Sequence, residues 1–165
     1  MVAVLLAGRG PLLGRNDHGS AGSIAVDRVV DGDTLVIEMG GRPHTVRLLG
    51  IDTPETVARS VPVQCFGAEA SAALGQLLPP GTPVRVHREA EGRDHYDRLL
   101  LHVVRHADGL HVNRWLVEEG YAAAVSYEPN TFHRSAFAAA ERRARAEGRG
   151  LWSACDGPDQ PLDPS

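Results

Sequence analysis

Lysine is absent from this sequence; all 17 basic residues are arginine. Against 21 acidic residues they leave a net charge of −4, so no general basic field marks the chain as a nucleic-acid binder. Any polyanionic partner has to be held by a local cluster of arginines. Cysteine is nearly absent too. Cys65 and Cys155 form no C-x-x-C pair, which argues against a structural zinc site and leaves two alternatives, one disulfide or two buried thiols. The eight histidines are scattered over strands and turns and make no metal-binding motif. No internal repeat is present. The apolar start, MVAVLLAG, is too short to cross a bilayer.

What is present suits one soluble domain. The 165 residues are 42% hydrophobic and 23% charged, within the ordinary range for a globular chain. Residues 1–22 read as an N-terminal tail, the remnant of a signal or anchor followed by a Gly/Pro/Ser-rich tether. Residues 23–155 read as the folded domain. Residues 156–165, rich in Pro and Asp, read as a disordered acidic tail. The tether predicts a protein exported or attached to the outer face of a membrane through its N-terminus, with a cytoplasmic location as the alternative. The chain is expected to act as a monomer without a stable protein partner.

Period-two runs predict strands over 23–30, 34–39 and 44–51, with turns at Asp31–Asp33 and at GGRP. A helix is predicted over 66–78, two more strands over 82–89 and 98–105, then helices over 112–121 and 131–148. Three strands, a helix and two strands is the order of an OB-fold. The predicted class is therefore α+β and β-rich: a five-stranded barrel with a helix inserted after strand three and two helices packed on its side.

Two short acidic stretches carry the chemistry. DGDT supplies Asp31 and Asp33, and DTPE supplies Asp52, Thr53 and Glu55. Each alone reads as a turn or a helix start. DGDT is not an EF-hand, since Leu35 and Val36 stand where a ligand and a glycine are needed. In a barrel, however, the turn after strand one and the end of strand three converge on one rim. Two carboxylates brought together there repel unless a cation lies between them, and a hard divalent ion with oxygen ligands meets that need. A third stretch, RDHYDR, carries Tyr96 and Arg98 in the loop between strands four and five, toward the face that carries Arg47. Arginine forks onto phosphate oxygens.

With VVDGDTLVI, RLLGIDTPET, FGAEAS, DHYDRLLLHV, VNRWLVEEGYA, YEPN and GLW in this order, the chain resembles the staphylococcal nuclease (thermonuclease) family over roughly 24–153. The resemblance implies an OB-fold and a Ca²⁺-dependent endonuclease acting on DNA and RNA and leaving 3′-phosphate ends. It implies Asp33, Asp52 and the Thr53 main-chain oxygen as calcium ligands, with Asp31 behind them. It implies Glu55 beside the attacking water, Arg47 and Arg98 on the phosphate, and Tyr96 and Tyr127 lining the nucleotide pocket. The alternative is a catalytically silent OB-fold module that binds single strands or a protein. A disulfide between Cys65 and Cys155 is expected if the protein is exported.

The chain departs from the family pattern at three places. Asp97 replaces the glycine before the second arginine and is expected to pair with Arg98, in competition with phosphate. VARSVPVQ and His95 stand where the family carries lysines. Val125 replaces a second pocket tyrosine.

Overall fold

The computed structural model describes residues 23–56 and 63–162. The expected tail over 1–22, the segment 57–62 of VARSVPVQ and residues 163–165 lie outside the described residues. Apolar positions facing one way along Ala25–Val29 (β1), Thr34–Met39 (β2) and Arg42–Leu48 (β3) bury Val26, Leu35, Ile37, Val46 and Leu48. The three strands form an antiparallel meander whose registers include Val26↔Ile37 and Thr34↔Arg47.

The sequence expectation of one strand through residue 51 fails at Gly50. That residue adopts φ +78, and a Cβ on it would stand 2.7 Å from the Phe137 ring. Only glycine meets both demands. The chain turns there, and Ile51–Asp52 (β4) leaves the main sheet to pair with Ala123–Ala124 (β7). Neither short strand shows a period in the sequence.

Helix Gly67–Leu77 (α1) then carries the chain across, so that Leu99–Arg105 (β6) can lie parallel to β3 with Leu48 opposite Leu101. Val84–His87 (β5) pairs antiparallel with β6. The resulting order is β1-β2-β3-β6-β5, the strand arrangement of an OB-fold. The barrel is a curled sheet rather than a fully laddered cylinder. Its two outer strands meet at a short seam, where Val26 N donates to Thr82 O and Val84 N to Ile24 O, each at 2.9 Å.

Helices Val112–Glu118 (α2) and Arg134–Ala146 (α3) pack on each other, and α2 also packs on β6. Their apolar faces bury Leu116, Val117, Phe137 and Ala140 against the sheet's core. Both are shorter than their sequence patterns suggested. One turn, Leu151–Ala154 (α4), was not expected at all. Fully buried Asn113 ties α2 to the break after β3. Its Nδ2 donates to Leu49 O and Leu101 O, and its Oδ1 accepts from Val103 N. No helix among the described residues is long and apolar enough to cross a membrane.

Cys65 and Cys155 are joined in a disulfide across 90 residues of sequence. Residues 156–162, expected as the start of a disordered tail, instead return along the segment before α1. Cys65 N donates to Gln160 O at 2.8 Å, and Leu162 N to Val63 O at 3.0 Å. The cross-link delivers the segment there, and the backbone bonds then fix it. Replacing both cysteines with serine should lower the unfolding free energy by about 2–4 kcal/mol, because a long loop no longer restricts the unfolded chain. Urea titration of the double variant beside the parent measures this.

Candidate active site

The turn after β1 directs Asp33 inward, where only 6% of the residue is exposed. A buried carboxylate needs donors on all sides, and Asp33 has them. Oδ1 accepts from Thr34 Oγ1 at 3.0 Å, and Oδ2 accepts from Thr53 N at 3.1 Å and Thr53 Oγ1 at 3.0 Å. Arg47 Nη1 lies 2.5 Å from the same Oδ2. Gly32 makes this approach possible, since a Cβ there would stand 2.7 Å from Thr53 Oγ1 and 2.9 Å from the Ala70 methyl. The glycine of DGDT answers to packing against the DTPE loop as well as to the turn.

The same guanidinium reaches the second aspartate. Arg47 Nη2 donates to Asp52 Oδ1 at 2.6 Å, and Nη1 donates to Ile51 O at 3.2 Å. Asp33 and Asp52, 19 residues apart in sequence, thus meet on one rim through Arg47. Asp31 stands behind them, its Oδ1 accepting from Asp33 N at 3.1 Å.

Two carboxylates share one guanidinium and a third stands behind them, and burial raises the pKa of Asp31 and of Asp52. Burial, reinforced by the charge of Asp33, pushes the Asp31 carboxyl up to about 6. Burial also raises Asp52; Arg47 pulls it down, but the Asp33 charge adds to the rise. A cluster that resists full ionisation and offers hard oxygen donors is chemically suited to a divalent cation such as calcium. Asp33, Asp52 and the Thr53 carbonyl are the groups that would hold it.

Arg98 precedes β6 and is set by Asp94, a residue that the sequence reading passed over. Its Nε donates to Asp94 Oδ2 at 2.7 Å, and its backbone N donates to Asp94 Oδ1 at 2.9 Å. Partial burial works to raise Asp94, yet the Arg98 bonds bring its pKa below the ordinary value. The expected pairing of Asp97 with Arg98 is corrected. Asp97 adopts φ +65, which turns its carboxylate outward to Arg93 Nη1 at 3.0 Å, and its side chain stays 86% exposed. The D-x-x-x-R spacing of Asp94 and Arg98 was the available signal.

Arg47 and Arg98 line one cavity of about 460 Å³, together with Gly50, His95, Tyr127 and Asn130. Tyr96, expected beside Tyr127 in this pocket, lies instead in the adjoining groove with Pro43 and Thr45, and the Arg98 guanidinium sits 5.3 Å from its ring centre. Both tyrosines are largely exposed. Glu55 is exposed and is not part of the cavity wall. Its backbone is fixed by Gln64, whose Oε1 accepts from Glu55 N at 2.7 Å while Gln64 N donates to Glu55 O at 2.9 Å. Asn130 was also missed. Its side chain exchanges two bonds with the Glu91 backbone at 2.9 and 3.0 Å, joining the loops on either side of the cavity.

A curled OB-type barrel with an arginine-bridged acidic rim, and a second arginine across a cavity, places the chain among small OB-type domains. A family model described as Staphylococcal nuclease homologue matches residues 45–154. The thermonuclease of Staphylococcus intermedius is 35% identical over 145 residues, covering 88% of this chain and 84% of that protein. The SPbeta prophage-derived endonuclease YokF of Bacillus subtilis is 39% identical over 131 residues, and endonuclease YncB of the same organism 36% over 132; each match covers 79% of this chain. The chain spans 44% and 62% of the length of those two Bacillus relatives. It belongs to the staphylococcal nuclease family.

The rim generates two predictions. In metal-free protein, folded Asp31 keeps its proton up to about pH 6, whereas an ordinary aspartate loses it near 3.8. The folded state therefore binds more protons inside that window, and stability falls as pH rises through it. Asp31→Asn should stabilise the metal-free protein above pH 6, by at most about 3 kcal/mol, and give no gain below pH 4; thermal melts across pH test the crossover. For the second arginine, the Arg98 Nε–H NMR signal should keep its protection from exchange in Asp97→Gly and lose it in Asp94→Ala.

Proposed function

We propose that this protein is a calcium-dependent phosphodiesterase that cleaves DNA and RNA internally and leaves 3′-phosphate ends. The observation that carries the reading is the single guanidinium of Arg47, shared by Asp33 and Asp52, at the wall of a cavity that Arg98 also lines. Phosphodiester hydrolysis builds negative charge on the equatorial oxygens, and fixed arginine donors stabilise that charge where it develops. Arg47 has five N–H donors. Ile51 O takes one hydrogen of Nη1 and Asp52 one of Nη2, while Asp33 pairs with Nη1 by charge, which leaves Nε–H and one Nη2–H for a phosphate oxygen.

Arg98 supplies the opposing contact, aimed by Asp94. A calcium ion held by Asp33, Asp52 and the Thr53 carbonyl, with Asp31 behind, would supply charge stabilisation and a more acidic bound water. Glu55 accepts the proton of the water that attacks phosphorus; the 5′-oxygen leaves and takes up a proton, so a 5′-hydroxyl and a 3′-phosphate remain. Tyr127 flanks the nucleotide from the cavity wall, and Tyr96 packs from the neighbouring groove. The disulfide suits an oxidising compartment, which favours a secreted or surface-tethered enzyme over a cytoplasmic one. The chain works as a monomer with no protein partner.

The test uses the whole chain and single-stranded DNA or RNA, with Ca²⁺ or with chelator. Cleavage should require Ca²⁺ and fall about 10²–10⁴-fold in Glu55→Ala, the range of a lost general base. Arg47→Ala should fall at least as far. End-group analysis should find 3′-phosphates. Binding without cleavage in the parent protein would instead identify a silent OB-fold module.

A further inference from the structure

None of the three histidines His102, His111 and His133 lines the Arg47–Arg98 cavity, and the proposed phosphodiesterase chemistry uses none of them. Sequence spacing hid them, since they are 9 and 22 residues apart. The fold gathers them: His102 from the middle of β6, His111 at the start of α2 and His133 at the start of α3. Ring centres lie 5.3 Å apart for His102 and His111, 4.4 Å for His102 and His133, and 5.2 Å for His111 and His133. One nitrogen from each ring falls within 4.8 Å of the other two. Among the described residues this is the one group of three or more His, Cys, Asp or Glu side chains drawn so close.

His102 carries the argument. It is 2% exposed, and its Nε2 lies 2.7 Å from Glu89 Oε1. A carboxylate accepts, so Nε2 holds the proton and Nδ1 keeps the lone pair. Glu89 is itself fixed, because its Oε2 accepts from Phe132 N at 2.9 Å. Among the described residues, Nδ1 is buried and has no hydrogen-bond partner. A buried acceptor without a donor is costly and rare. A carboxylate that orients an imidazole, leaving its other nitrogen bare, is the arrangement that supports a metal-ligating histidine.

We infer that His102, His111 and His133 form a second cation site, selective for a borderline transition metal such as Zn²⁺, Co²⁺ or Ni²⁺ rather than for calcium. Three neutral imidazoles suit those ions, whereas Ca²⁺ and Mg²⁺ demand oxygen. Metal–nitrogen bonds of about 2.1 Å place tetrahedral ligand atoms about 3.4 Å apart, so the rings close in by small rotations. A cavity of about 650 Å³, lined in part by His102, His133 and Glu89, gives the ion a route in and room for a water as fourth ligand.

Two terms oppose binding. The positive ends of the α2 and α3 dipoles face the cation. His111 also gives up its cap on α2, where it accepts from Arg114 N at 3.3 Å, because a neutral ring has one lone pair. The Glu89 charge behind His102 offsets part of this. The bound ion would clip β6 to the starts of both helices that cover the sheet.

Metal-free full-length protein is titrated with Co²⁺ and followed by visible absorption, then with Zn²⁺ by calorimetry and thermal melts. One equivalent of Co²⁺ should give the strong visible bands of tetrahedral nitrogen ligation, and Zn²⁺ should raise the melting temperature in a way that chelator reverses. His111→Asn keeps a good helix cap and removes a ligand; His133→Asn removes a ligand at the start of α3, where the histidine side chain makes no cap hydrogen bond. Each should weaken Zn²⁺ binding at least about tenfold, by comparison with the 10–100-fold cost of losing even an outer-sphere partner. Asp52→Asn, at the acidic rim, should leave the Co²⁺ spectrum unchanged. Absence of tetrahedral bands in the parent, or unaltered affinity in both histidine variants, would overturn the inference without touching the calcium reading, which is scored on Ca²⁺ dependence and on Glu55 and Arg47.

Discussion

One guanidinium decides the character of the barrel rim. Arg47 is the only cation in contact with either Asp33 or Asp52 among the described residues. Asp33 is deeply placed, and the fold depends on Arg47 to pair with it there. A lysine would carry the same charge at a point, whereas the planar fork spans two carboxylates and a carbonyl at once. The bridge leaves negative charge in surplus, because Asp31 stands behind the pair with no basic partner of its own among the described residues. In the proposed function that surplus receives the hard cation, and the arginine receives the phosphate.

The rest of the sheet arranges this meeting. Register places Arg47 opposite Thr34, one residue after Asp33. The break at Gly50 then turns the chain so that Asp52 comes back to the arginine it follows by five residues. Phe137 fills the space that the missing Cβ leaves, which couples the direction of the active loop to the packing of α3. Asn113 closes the same joint from α2. The helices that cover the core are thus also the supports of the loop that bears Asp52, Thr53 and Glu55.

Much of this was legible in the chain. Regular alternation and helical spacing located the five main strands and three helices, because each buries one face on a common core. The convergence of Asp31–Asp33 with Asp52–Thr53 followed from barrel topology alone. What escaped had no local period. β4 and β7 are two residues each and exist through a tertiary contact. α4 is a single turn beside the disulfide. Asp97 adjoins Arg98 in sequence, but its left-handed backbone points it away, and Asp94 reaches Arg98 across one turn of the loop. The pocket tyrosines separate because Arg98 stands between cavity and groove. The histidine trio spans a strand and two helix starts, so no motif announces it.

The disulfide has an implication for where the protein is competent. It holds the end of the chain against Val63–Cys65, and Gln64, within that segment, anchors the backbone of Glu55. A reducing environment removes the cross-link and with it the covalent tether behind the loop. The oxidation state of the surroundings thereby acts on the placement of one carboxylate ten residues away, and the reduced chain is a looser scaffold than the oxidised one.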